Sequence, residues 1–490
     1  MKTCLSIDLG ASSGRVIAAR FDGVKLAMEV VKRFDNTPVE FAGHFFWNLP
    51  GLLSDIRSGL SLAVSTYGAI DSVGVDTWGV DYGLLDRSGR LLGLPYIYRD
   101  KRNSDRNMEA VFDIAGKRPL YNQTGIQFLN FNTIFQLHAE RQEPSSLLDL
   151  ADRVLLIPDL VNYALCGEKA NEETIASTSG LIDLKTRDWS TVLLEKLRLP
   201  PGLFRTPVKS GTRLGNVRGI TGLEHTPVIA VGAHDTASAV AAVPAKPATN
   251  WAYLSTGTWA LLGVENARPI LSDASFELGY THEGAANGRF RFLKNCTGMW
   301  MIQQLRNDWT VQGVAPGYDE LMAEAEDALP FRTLLDPDYP SFQSPGGMTG
   351  KILDFCKRTG QPEPRNRGEF YRATMEGVVM RYREVWHELE CLTGVRRDVL
   401  HMLGGATRDA MHCQMTADAL QADIACGPVE GAAMGNALAQ LLALGELGDW
   451  EEGRALVRDS IEIKHWSPKN RASWDDAYPR WLSIKSAATK

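Results

Sequence analysis

The sequence predicts an α/β protein of two large domains, in which strands alternate with helices and glycine-rich turns follow the strands. Three observations predict it. The chain has 490 residues, and a single hydrophobic core rarely grows beyond about 250–300 residues before the chain divides into domains. Apolar runs of strand length alternate with longer runs of helical periodicity in both halves. Small residues and carboxylates stand where strands end, which is where α/β proteins bind ligands.

The N-terminal part begins with a predicted meander of three strands at 3–9, 15–21 and 24–34, with a glycine-rich turn at 10–14. A helix is predicted at 50–67, because leucine, isoleucine and alanine recur there at helical spacing. Further strands are predicted at 71–76 and 79–86, and the first of these ends on a carboxylate. This alternation is typical of an α/β domain.

A buried strand is predicted at 226–232, followed by a helix of small residues at 237–242. The stretch 243–248 has two prolines and no periodicity, and we take it as the junction between domains 1–243 and 244–490. The strand–turn–strand pattern at 251–263 then echoes the pattern at 5–16. One such echo is weak evidence for a repeated domain, because hairpins are common.

The remaining C-terminal part continues the alternation. It contains predicted helices at 368–392, 409–420 and 435–444 and predicted strands at 399–403 and 424–426. The α/β pattern therefore extends through both halves of the chain.

The composition excludes several classes of protein. Lys plus Arg number 52 and Asp plus Glu 59, for a net charge of −7, which gives no electrostatic reason to expect nucleic acid or an anionic membrane as partner. The seven cysteines are scattered without a CxxC pair, which fits a reducing compartment. We find no signal-peptide pattern and no apolar run of about 18 residues, so we expect a cytoplasmic protein.

The first candidate site is the turn between the first two strands. Small residues after a strand let backbone N–H groups approach phosphate, and Ser12 and Ser13 add hydroxyl donors. Asp8 is a candidate ligand for Mg²⁺, and Arg15 would offset phosphate charge. An ordinary hairpin in which Asp8 caps the turn is about equally compatible with this pattern. The chain has no GxxxxGK[ST] phosphate-binding loop.

The second candidate site is the run 74–82, which has two carboxylates, two glycines and a tryptophan. Asp76 and Asp81 are candidates for binding sugar hydroxyls, Trp78 for stacking on a sugar ring, and Gly79 for close backbone approach to a ligand. The alternative is that Asp76 caps a turn and Trp78 lies in the core, which is the more common place for a tryptophan.

The third candidate site is Gly232-Ala-His-Asp-Thr-Ala-Ser238, where a buried strand is followed by small residues. Phosphoryl transfer to an alcohol requires a base that receives the hydroxyl proton, and Asp235 fits that role, with His234 as a candidate for a hydrogen bond to a sugar. Taken alone, the pattern favours Asp235 as an N-cap of the following helix.

Two further patterns are individually weak. Ser255-Thr-Gly-Thr258 and Gly404-Gly405 are strand-end turns that suit a nucleotide. Asn295 and Gln303 offer side-chain amides to a ligand.

Together and in this order, the motifs resemble the FGGY carbohydrate kinases of the actin/hexokinase/Hsp70 ATPase superfamily, and the resemblance runs from residue 5 to about 440. The motifs that carry it are Ile7-Asp-Leu-Gly-Ala-Ser-Ser-Gly-Arg15, Gly74-Val-Asp-Thr-Trp-Gly-Val-Asp81, Gly93-Leu-Pro with Tyr98-Arg-Asp100, Tyr121 with Thr124-Gly-Ile-Gln-Phe128, Phe131-Asn-Thr133, Ala233-His-Asp-Thr-Ala-Ser-Ala239, Leu254-Ser-Thr-Gly-Thr-Trp259, Leu293-Lys-Asn295 and Gly427-Pro-Val-Glu430 with Gly435-Asn436.

The resemblance implies a two-domain actin-like ATPase (ribonuclease H-like) fold, with a duplicated βββαβαβα core and an interdomain cleft. The N-terminal domain would bind mainly sugar and carry the phosphate-binding hairpin, and the C-terminal domain would bind mainly ATP. Residue matching implies that ATP contacts Ala11, Ser12, Ser13, Gly14, Arg15, Thr258, Gln303, Gly404 and Gly405. It implies that the sugar contacts Gly79, His234, Asp235, Thr236 and Asn295, beside Asp76 and Trp78 from the local patterns.

The implied reaction is ATP-dependent phosphorylation of L-rhamnulose at O1, with Mg²⁺ as cofactor and Asp235 as proton acceptor. The first alternative is a kinase for a related ketose such as L-fuculose or L-xylulose. The second is a non-catalytic sugar or nucleotide sensor on the same fold. We expect a monomer or homodimer. One departure concerns the nucleotide turn, which reads Gly404-Gly-Ala-Thr-Arg-Asp409 where the family usually has Gly-Gly-Gly-x-x-Asn, and this leaves nucleotide affinity and preference open.

Overall fold

The computed structural model describes residues 1–144 and 146–488, and their contacts divide the chain into two compact units. The first unit comprises Met1–Lys246, Glu265–Phe292 and Glu430–Ile461. The second comprises Pro247–Val264, Leu293–Val429 and the residues from Glu462 onward. Each unit is thus assembled from segments that lie far apart in sequence. The predicted domains 1–243 and 244–490 divide the chain by sequence alone and stay a prediction.

The strands in chain order are β1 Lys2–Leu9, β2 Ser13–Phe21, β3 Leu26–Asp35, β4 Val39–Phe41, β5 His44–Phe46, β6 Ser72–Thr77, β7 Tyr82–Leu85, β8 Arg153–Leu156, β9 Ile182–Asp183, β10 Asp188–Trp189, β11 Arg213–Asn216, β12 Pro227–Ile229, β13 Trp251–Thr256, β14 Trp259–Asn266, β15 Thr281–Gly284, β16 Phe290–Thr297, β17 Val399–Leu403, β18 Asp423–Cys426 and β19 Lys464–Trp466.

The α-helices are α1 Leu49–Tyr67, α2 Asp105–Ala115, α3 Lys117–Thr124, α4 Thr133–Gln142, α5 Ile157–Cys166, α6 Glu173–Ala176, α7 Thr191–Lys196, α8 Asp235–Ala241, α9 Asp273–Glu277, α10 Trp300–Val311, α11 Tyr318–Glu326, α12 Met348–Thr359, α13 Arg367–Thr393, α14 Ala410–Leu420, α15 Gly431–Ala443, α16 Trp450–Ser460 and α17 Ala472–Ala488.

The main sheet of the first unit has the strand order β11-β12-β6-β1-β2-β3. The three N-terminal strands form the predicted antiparallel meander, and β6 and β12 join it in parallel. The register pairs Asp8 on β1 with Asp76 on β6, and an isolated parallel bridge joins Thr77 to His234. Because carboxyl ends of parallel strands meet at one edge of a sheet, the acidic residues that follow these strands share that edge.

In the second unit, six strands lie side by side in the order β16-β14-β13-β17-β18-β19. Strand β13 is antiparallel to β14 and parallel to β17, and β17 is parallel to β18. The sheet order β16-β14-β13-β17-β18 of the second unit matches the order β3-β2-β1-β6-β12 of the first unit. Corresponding strands also follow one another in the same order along the chain. The duplication suggested by the resemblance is therefore a property of the fold.

Several elements differ in their bounds from the sequence prediction: the strand predicted at 226–232 is Pro227–Ile229, and the helix predicted at 237–242 is Asp235–Ala241. The strand predicted at 79–86 is confined to Tyr82–Leu85, because Val80 has a positive φ of 70° and turns the chain. A β-branched side chain rarely adopts that conformation. The last predicted helix begins at Gly431 rather than 435, since the small residues 431–433 continue the helix toward its N-terminus.

No helix within residues 1–144 and 146–488 has both the length and the apolar content that a membrane crossing requires.

Helix α15 lies very close to α8 within the first unit. Leu438 and Ala437 of α15 are fully buried in one core with Cys4 and Ala19 of the sheet. A Cβ added at Gly435 would overlap the backbone carbonyl of Ser238, which cannot move aside as a side chain can. Glycine at 435 therefore sets how closely the two helices approach.

We expect Gly435→Ala to destabilise the protein by about 1–3 kcal/mol, because overpacking against a backbone atom outweighs the better helix propensity of alanine. Thermal and chemical unfolding measure the effect. The matched control is Gly431→Ala on the same helix, where the added Cβ would lie at an ordinary 3.5 Å from Ala239 Cβ. Equal stability of the two variants would show that the close approach does not constrain this helix pair.

Candidate active site

Three aspartates of the first unit lie near one edge of its sheet. Asp8 and Asp76 occupy paired positions near the ends of β1 and β6, and Asp235 is the first residue of α8. The side chain of Asp235 is 32% exposed, whereas that of Asp8 is 6% exposed and Asp76 is fully buried. Asp235 is thus the carboxylate of the three that a substrate reaches most easily.

The electrostatics of this group are unfavourable to full ionisation. Burial, reinforced by Asp235 and Glu430, raises the pKa of Asp8 from 3.8 to about 6, although the Arg15 guanidinium opposes the shift. Burial also raises the pKa of Asp76 well above its ordinary value, and the neighbouring charge of Asp8 adds to the shift. Desolvation and like charge act in the same direction here. A cation placed at this edge would favour the ionised forms of both carboxyls.

Asp76 is held by a chain of side-chain amides. Asn436 Nδ2 donates to Asp76 Oδ2 at 2.6 Å, and Gln440 Nε2 donates to Asn436 Oδ1 at 2.7 Å. Ser72 Oγ in turn donates to Gln440 Oε1 at 2.7 Å. The other carboxylate oxygen, Asp76 Oδ1, is buried and has no hydrogen-bond partner among the described residues. An unpaired buried oxygen is costly, so this atom is the clearest place for a ligand to complete the site.

The turn between β1 and β2 presents small and polar groups. Gly10 N donates to Ser13 O at 2.8 Å, and Asn36 Nδ2 braces the turn by donating to Gly10 O at 2.9 Å. Ser12 and Ser13 are exposed. Gly14 is buried, and a Cβ there would overlap the Phe34 ring. The turn is therefore rigid and open to a ligand, as the predicted phosphate contacts of residues 11–14 require.

Arg15 bridges two carboxylates. Its guanidinium pairs with Asp8 through Nη2 and with Glu430 through Nη1. Arg33 approaches the other oxygen of Glu430 at 3.4 Å. The Arg15 charge is thus held at the same edge as Asp8. An anionic ligand there would compete with the carboxylates for the Arg15 guanidinium.

The structure distinguishes the two interpretations of Asp235. The residue at the N-cap of α8 is His234, without a side-chain cap bond, and Asp235 is already the first helical residue. The expectation that Asp235 caps the helix is therefore wrong. Its Oδ1 instead accepts from Thr236 N at 2.5 Å and from Thr236 Oγ1 at 3.1 Å, and lies 3.4 Å from His234 Nε2. His234, Asp235 and Thr236 therefore form one contiguous group.

Asp81 has a structural role. It is buried and accepts from both Trp47 Nε1 at 2.7 Å and Trp78 Nε1 at 3.1 Å, while Gln136 Nε2 donates to its other oxygen at 3.0 Å. These contacts leave little of the carboxylate for a sugar. Burial raises its pKa to about 6 in spite of these donors.

Trp78 is buried in the core of the first unit, and its ring centroid lies 4.1 Å from that of Trp47. Sugar stacking by Trp78 stays a prediction. Gly79 lies beside Thr178, whose side-chain atoms would be 3.2 Å from an added Cβ, so a larger residue at 79 would require Thr178 to move.

The predicted nucleotide residues of the second unit lie together. Thr258 Oγ1 donates to Gln303 Oε1 at 3.2 Å. Gly404 has a φ of 91°, and a Cβ there would overlap the carbonyl of Thr256 at the end of β13. Gly405 follows it on the exposed side of the turn. Asn295 is half-buried on β16 in the same unit. A hydroxyl, an amide and an open glycine turn therefore share one neighbourhood.

The departure at Asp409 has a structural explanation. Asp409 is buried, caps α14 by accepting from His412 N at 2.9 Å, and accepts from Tyr371 Oη at 2.8 Å. The carboxylate is therefore buried and already occupied by two hydrogen-bond donors of the second unit.

Sequence reasoning missed the roles of Asn436, Glu430, Glu283 and Arg291. The first two belong to motifs that carried the family resemblance, but their role at Asp76 and Arg15 depends on a packing of α15 that sequence spacing does not reveal. Glu283 and Arg291 contact His234 from a hairpin about 50 residues away, and their only sequence signal is a pair of charged residues in strands.

Comparison with known proteins places these features in a family. Residues 3–242 match the model of the FGGY family of carbohydrate kinases, N-terminal domain, and residues 252–444 match that of the C-terminal domain. The rhamnulokinase of Bacteroides thetaiotaomicron is 40% identical over 477 residues, covering 96% of this chain and 97% of its own. That of Pectobacterium atrosepticum is 36% identical over 491 residues, covering 100% of this chain and 98% of its own.

Solved structures share the fold. The xylulose kinase from Rhodospirillum rubrum superposes with a TM-score of 0.80 at 19% identity, covering 100% of this chain and 99% of that one. Plasmodium falciparum glycerol kinase with ADP superposes with a TM-score of 0.78 at 15% identity, covering 100% and 98%. The α/β architecture with two related halves is therefore that of known carbohydrate kinases.

The raised pKa of Asp8 predicts a pH-dependent stability. In the folded state Asp8 titrates near 6 rather than 3.8, so its stabilising contribution is complete below about pH 4 and is lost as the pH rises through 6. We expect Asp8→Asn, which mimics the protonated form, to gain roughly 1–3 kcal/mol relative to wild type between pH 4.5 and pH 8. Unfolding curves at the two pH values measure it. A stability difference that does not change with pH would contradict the assignment.

Proposed function

We propose that this chain, which belongs to the FGGY family of carbohydrate kinases, transfers the γ-phosphoryl group of ATP to O1 of L-rhamnulose, giving L-rhamnulose 1-phosphate and ADP. That it is a carbohydrate kinase follows from the family. The sugar is inferred from rhamnulokinases that are 36–40% identical over nearly the whole chain. The observation that carries the proposal is the grouping of Asp8, Asp76 and Asp235 at one sheet edge within such a sequence.

The reaction asks little covalent chemistry of the protein. The acceptor oxygen forms a bond to the γ-phosphorus, the bond to the β–γ bridging oxygen breaks, and ADP leaves. The hydroxyl proton has to go to a base as the new bond forms. Asp235 is the carboxylate exposed enough to receive it, and exchange with solvent then restores the ionised form. His234, beside Asp235, is placed to donate a hydrogen bond to a sugar hydroxyl.

The residues present fit a magnesium ion. Among the described residues, no three His, Cys, Asp or Glu side chains form a complete metal cage, but Mg²⁺ in kinases is usually held by one or two carboxylates, waters and substrate phosphates. Asp8 and Asp76 supply two adjacent carboxylates, one with an unpaired oxygen, Oδ1 of Asp76. When bound, the ion would neutralise phosphate charge. Asp8 and Asp76 would hold it, and Arg15 would contact the same phosphates.

From the family resemblance, we propose residues 11–15 and residues Thr258, Gln303, Gly404 and Gly405 as nucleotide-binding residues. The Asp409 carboxylate already accepts from Tyr371 and from the backbone of His412, which is compatible with a nucleotide at this glycine turn. We therefore propose ATP as the phosphoryl donor. We place the enzyme in the cytoplasm, where ATP is available and thiols such as its seven free cysteines stay reduced.

The identity of the sugar is tested by a ketose panel. With ATP and Mg²⁺, we expect the highest kcat/KM for L-rhamnulose, lower values for L-fuculose and L-xylulose, and a 1-phosphate product by ³¹P NMR. A higher kcat/KM for either other ketose would reassign the substrate within the family. Saturable sugar binding without ADP release would favour the sensor hypothesis instead.

The role of Asp235 is tested by Asp235→Asn. We expect kcat to fall on the order of 10²-fold or more, because the amide cannot receive the proton, while the ketose KM changes little. The matched control is Asp105→Asn, which alters an exposed aspartate at the first position of another helix, α2. Activity of Asp235→Asn close to that of the control would remove Asp235 as the proton acceptor.

A further inference from the structure

His234 is fixed in the first unit by contacts that the reaction itself does not explain. Its backbone N–H donates to Thr174 Oγ1 at 3.2 Å, and Thr174 Oγ1 donates to the buried Glu172 at 2.6 Å. Its ring contacts two residues from another part of the chain, Glu283 on β15 and Arg291 on β16. Backbone and ring are thus held by separate groups.

Arg291 is fully buried and points at the ring. Its Nη2 donates to Glu283 Oε2 at 2.9 Å and lies 2.9 Å from His234 Nδ1, while its Nε donates to Gly284 O at 2.9 Å. Burial raises the pKa of Glu283, but the adjacent Arg291 charge opposes that effect, and the pKa lies below its ordinary value. The Glu283–Arg291 pair is therefore ionised.

These distances determine where the imidazole carries its proton. Two nitrogens 2.9 Å apart need a hydrogen between them, and a guanidinium can only donate. Nδ1 of His234 is therefore the acceptor, although Glu283 Oε2 is also near, at 3.2 Å. The proton of the neutral ring then sits on Nε2, the nitrogen that lies 3.4 Å from Asp235 Oδ1.

We propose that Arg291, held by Glu283, is a positioning residue that donates to Nδ1 of His234 and so leaves a ring proton on Nε2, aimed at Asp235 and the sugar. Such a ring donates a hydrogen bond and does not accept the sugar proton through Nε2. Asp235 is left as the base. This inference deepens the proposed function and rests on it for the kinetic effect, but the state of the ring does not depend on the substrate.

The ring is observed directly by long-range ¹H–¹⁵N NMR on protein labelled at histidine, with the His234 signal assigned by its loss in His234→Gln. We expect the Nε2–H tautomer in wild type. We expect a mixture of tautomers in Glu283→Met/Arg291→Met, which removes both charges together so that no buried charge is left unpaired. The Nδ1–H tautomer or a doubly protonated ring in wild type would overturn the proposal, whatever the sugar.

Steady-state kinetics then compare Glu283→Met/Arg291→Met with the control double variant Glu265→Met/Arg454→Met. Those residues form another buried pair of the first unit, 2.9 Å apart, which contacts Asn287 and Glu451. We expect the 283/291 variant to lose about 10–100-fold in kcat/KM for the ketose, as typical for groups that orient a functional residue, with KM for ATP within about twofold. The control pair should leave both parameters near wild type.

The effect should also depend on His234. In a His234→Gln background, removing the 283/291 pair should change kcat/KM for the ketose by no more than about twofold, because the interaction being removed is already absent. A loss of the same size in both backgrounds, or one matched by the control pair, would show a merely structural role and overturn the proposal. Failure of the wild-type protein to phosphorylate any ketose would instead overturn the proposed function. The NMR measurement would still determine the tautomer of His234 in that case.

Discussion

The site depends on the crowding of carboxylates at one edge of the first-unit sheet. Parallel pairing of β1 with β6 places Asp8 beside Asp76, and the start of α8 adds Asp235. Burial, reinforced by the neighbouring carboxylates, raises the pKa values of Asp8 and Asp76 and opposes their ionisation. The fold tolerates the group because Arg15 contacts Asp8 and Asn436 contacts Asp76. A ligand that brings a cation, such as a magnesium nucleotide, would balance the negative charge that remains at this edge.

Several features of the architecture serve this edge. Glycine at 435 lets α15 approach α8 closely, which brings Asn436 to Asp76 and ties both to Gln440 and Ser72. Asp81 holds two indoles and one amide instead of binding a sugar, so it stiffens the segment that follows β6. Neutral amides and indoles thus organise the carboxylates without adding further charge to them.

Much of this was accessible from the sequence. Strand–helix alternation and the strand-end positions of Asp8, Asp76 and Asp235 are local signals, so the α/β class follows from hydrophobic periodicity, whereas a joint role of the three acids was implied only by the family resemblance. The echo between residues 5–16 and 251–263 was weak by itself, yet the two sheets share their strand order. What local patterns could not supply was packing. The positive φ of Val80, the burial of Asp409 and the burial of Trp78 each depend on residues distant in the chain.

The same limit explains the Glu283–Arg291 pair, which reaches His234 from a separate hairpin of the first unit. No spacing rule in the sequence connects residues 234 and 291. In the fold, His234 Nδ1 lies 2.9 Å from Arg291 Nη2 and 3.2 Å from Glu283 Oε2. The family resemblance implied that His234 contacts the sugar, and the fold shows which residues contact its ring.

Burial raises the pKa of Asp8 to about 6, and a magnesium nucleotide bound beside Asp8 would favour its ionised form, so we expect binding to release the protons that Asp8 still carries near pH 6. Calorimetric titration with Mg²⁺ and ADP in buffers of different ionisation enthalpy counts those protons. For wild type minus Asp8→Asn, we expect release of about half a proton near pH 6, because a carboxyl with a pKa of about 6 is half protonated there, and a release that declines toward zero at pH 8, where Asp8 is already ionised. No difference between the two proteins at pH 6, or a net uptake of protons, would contradict it.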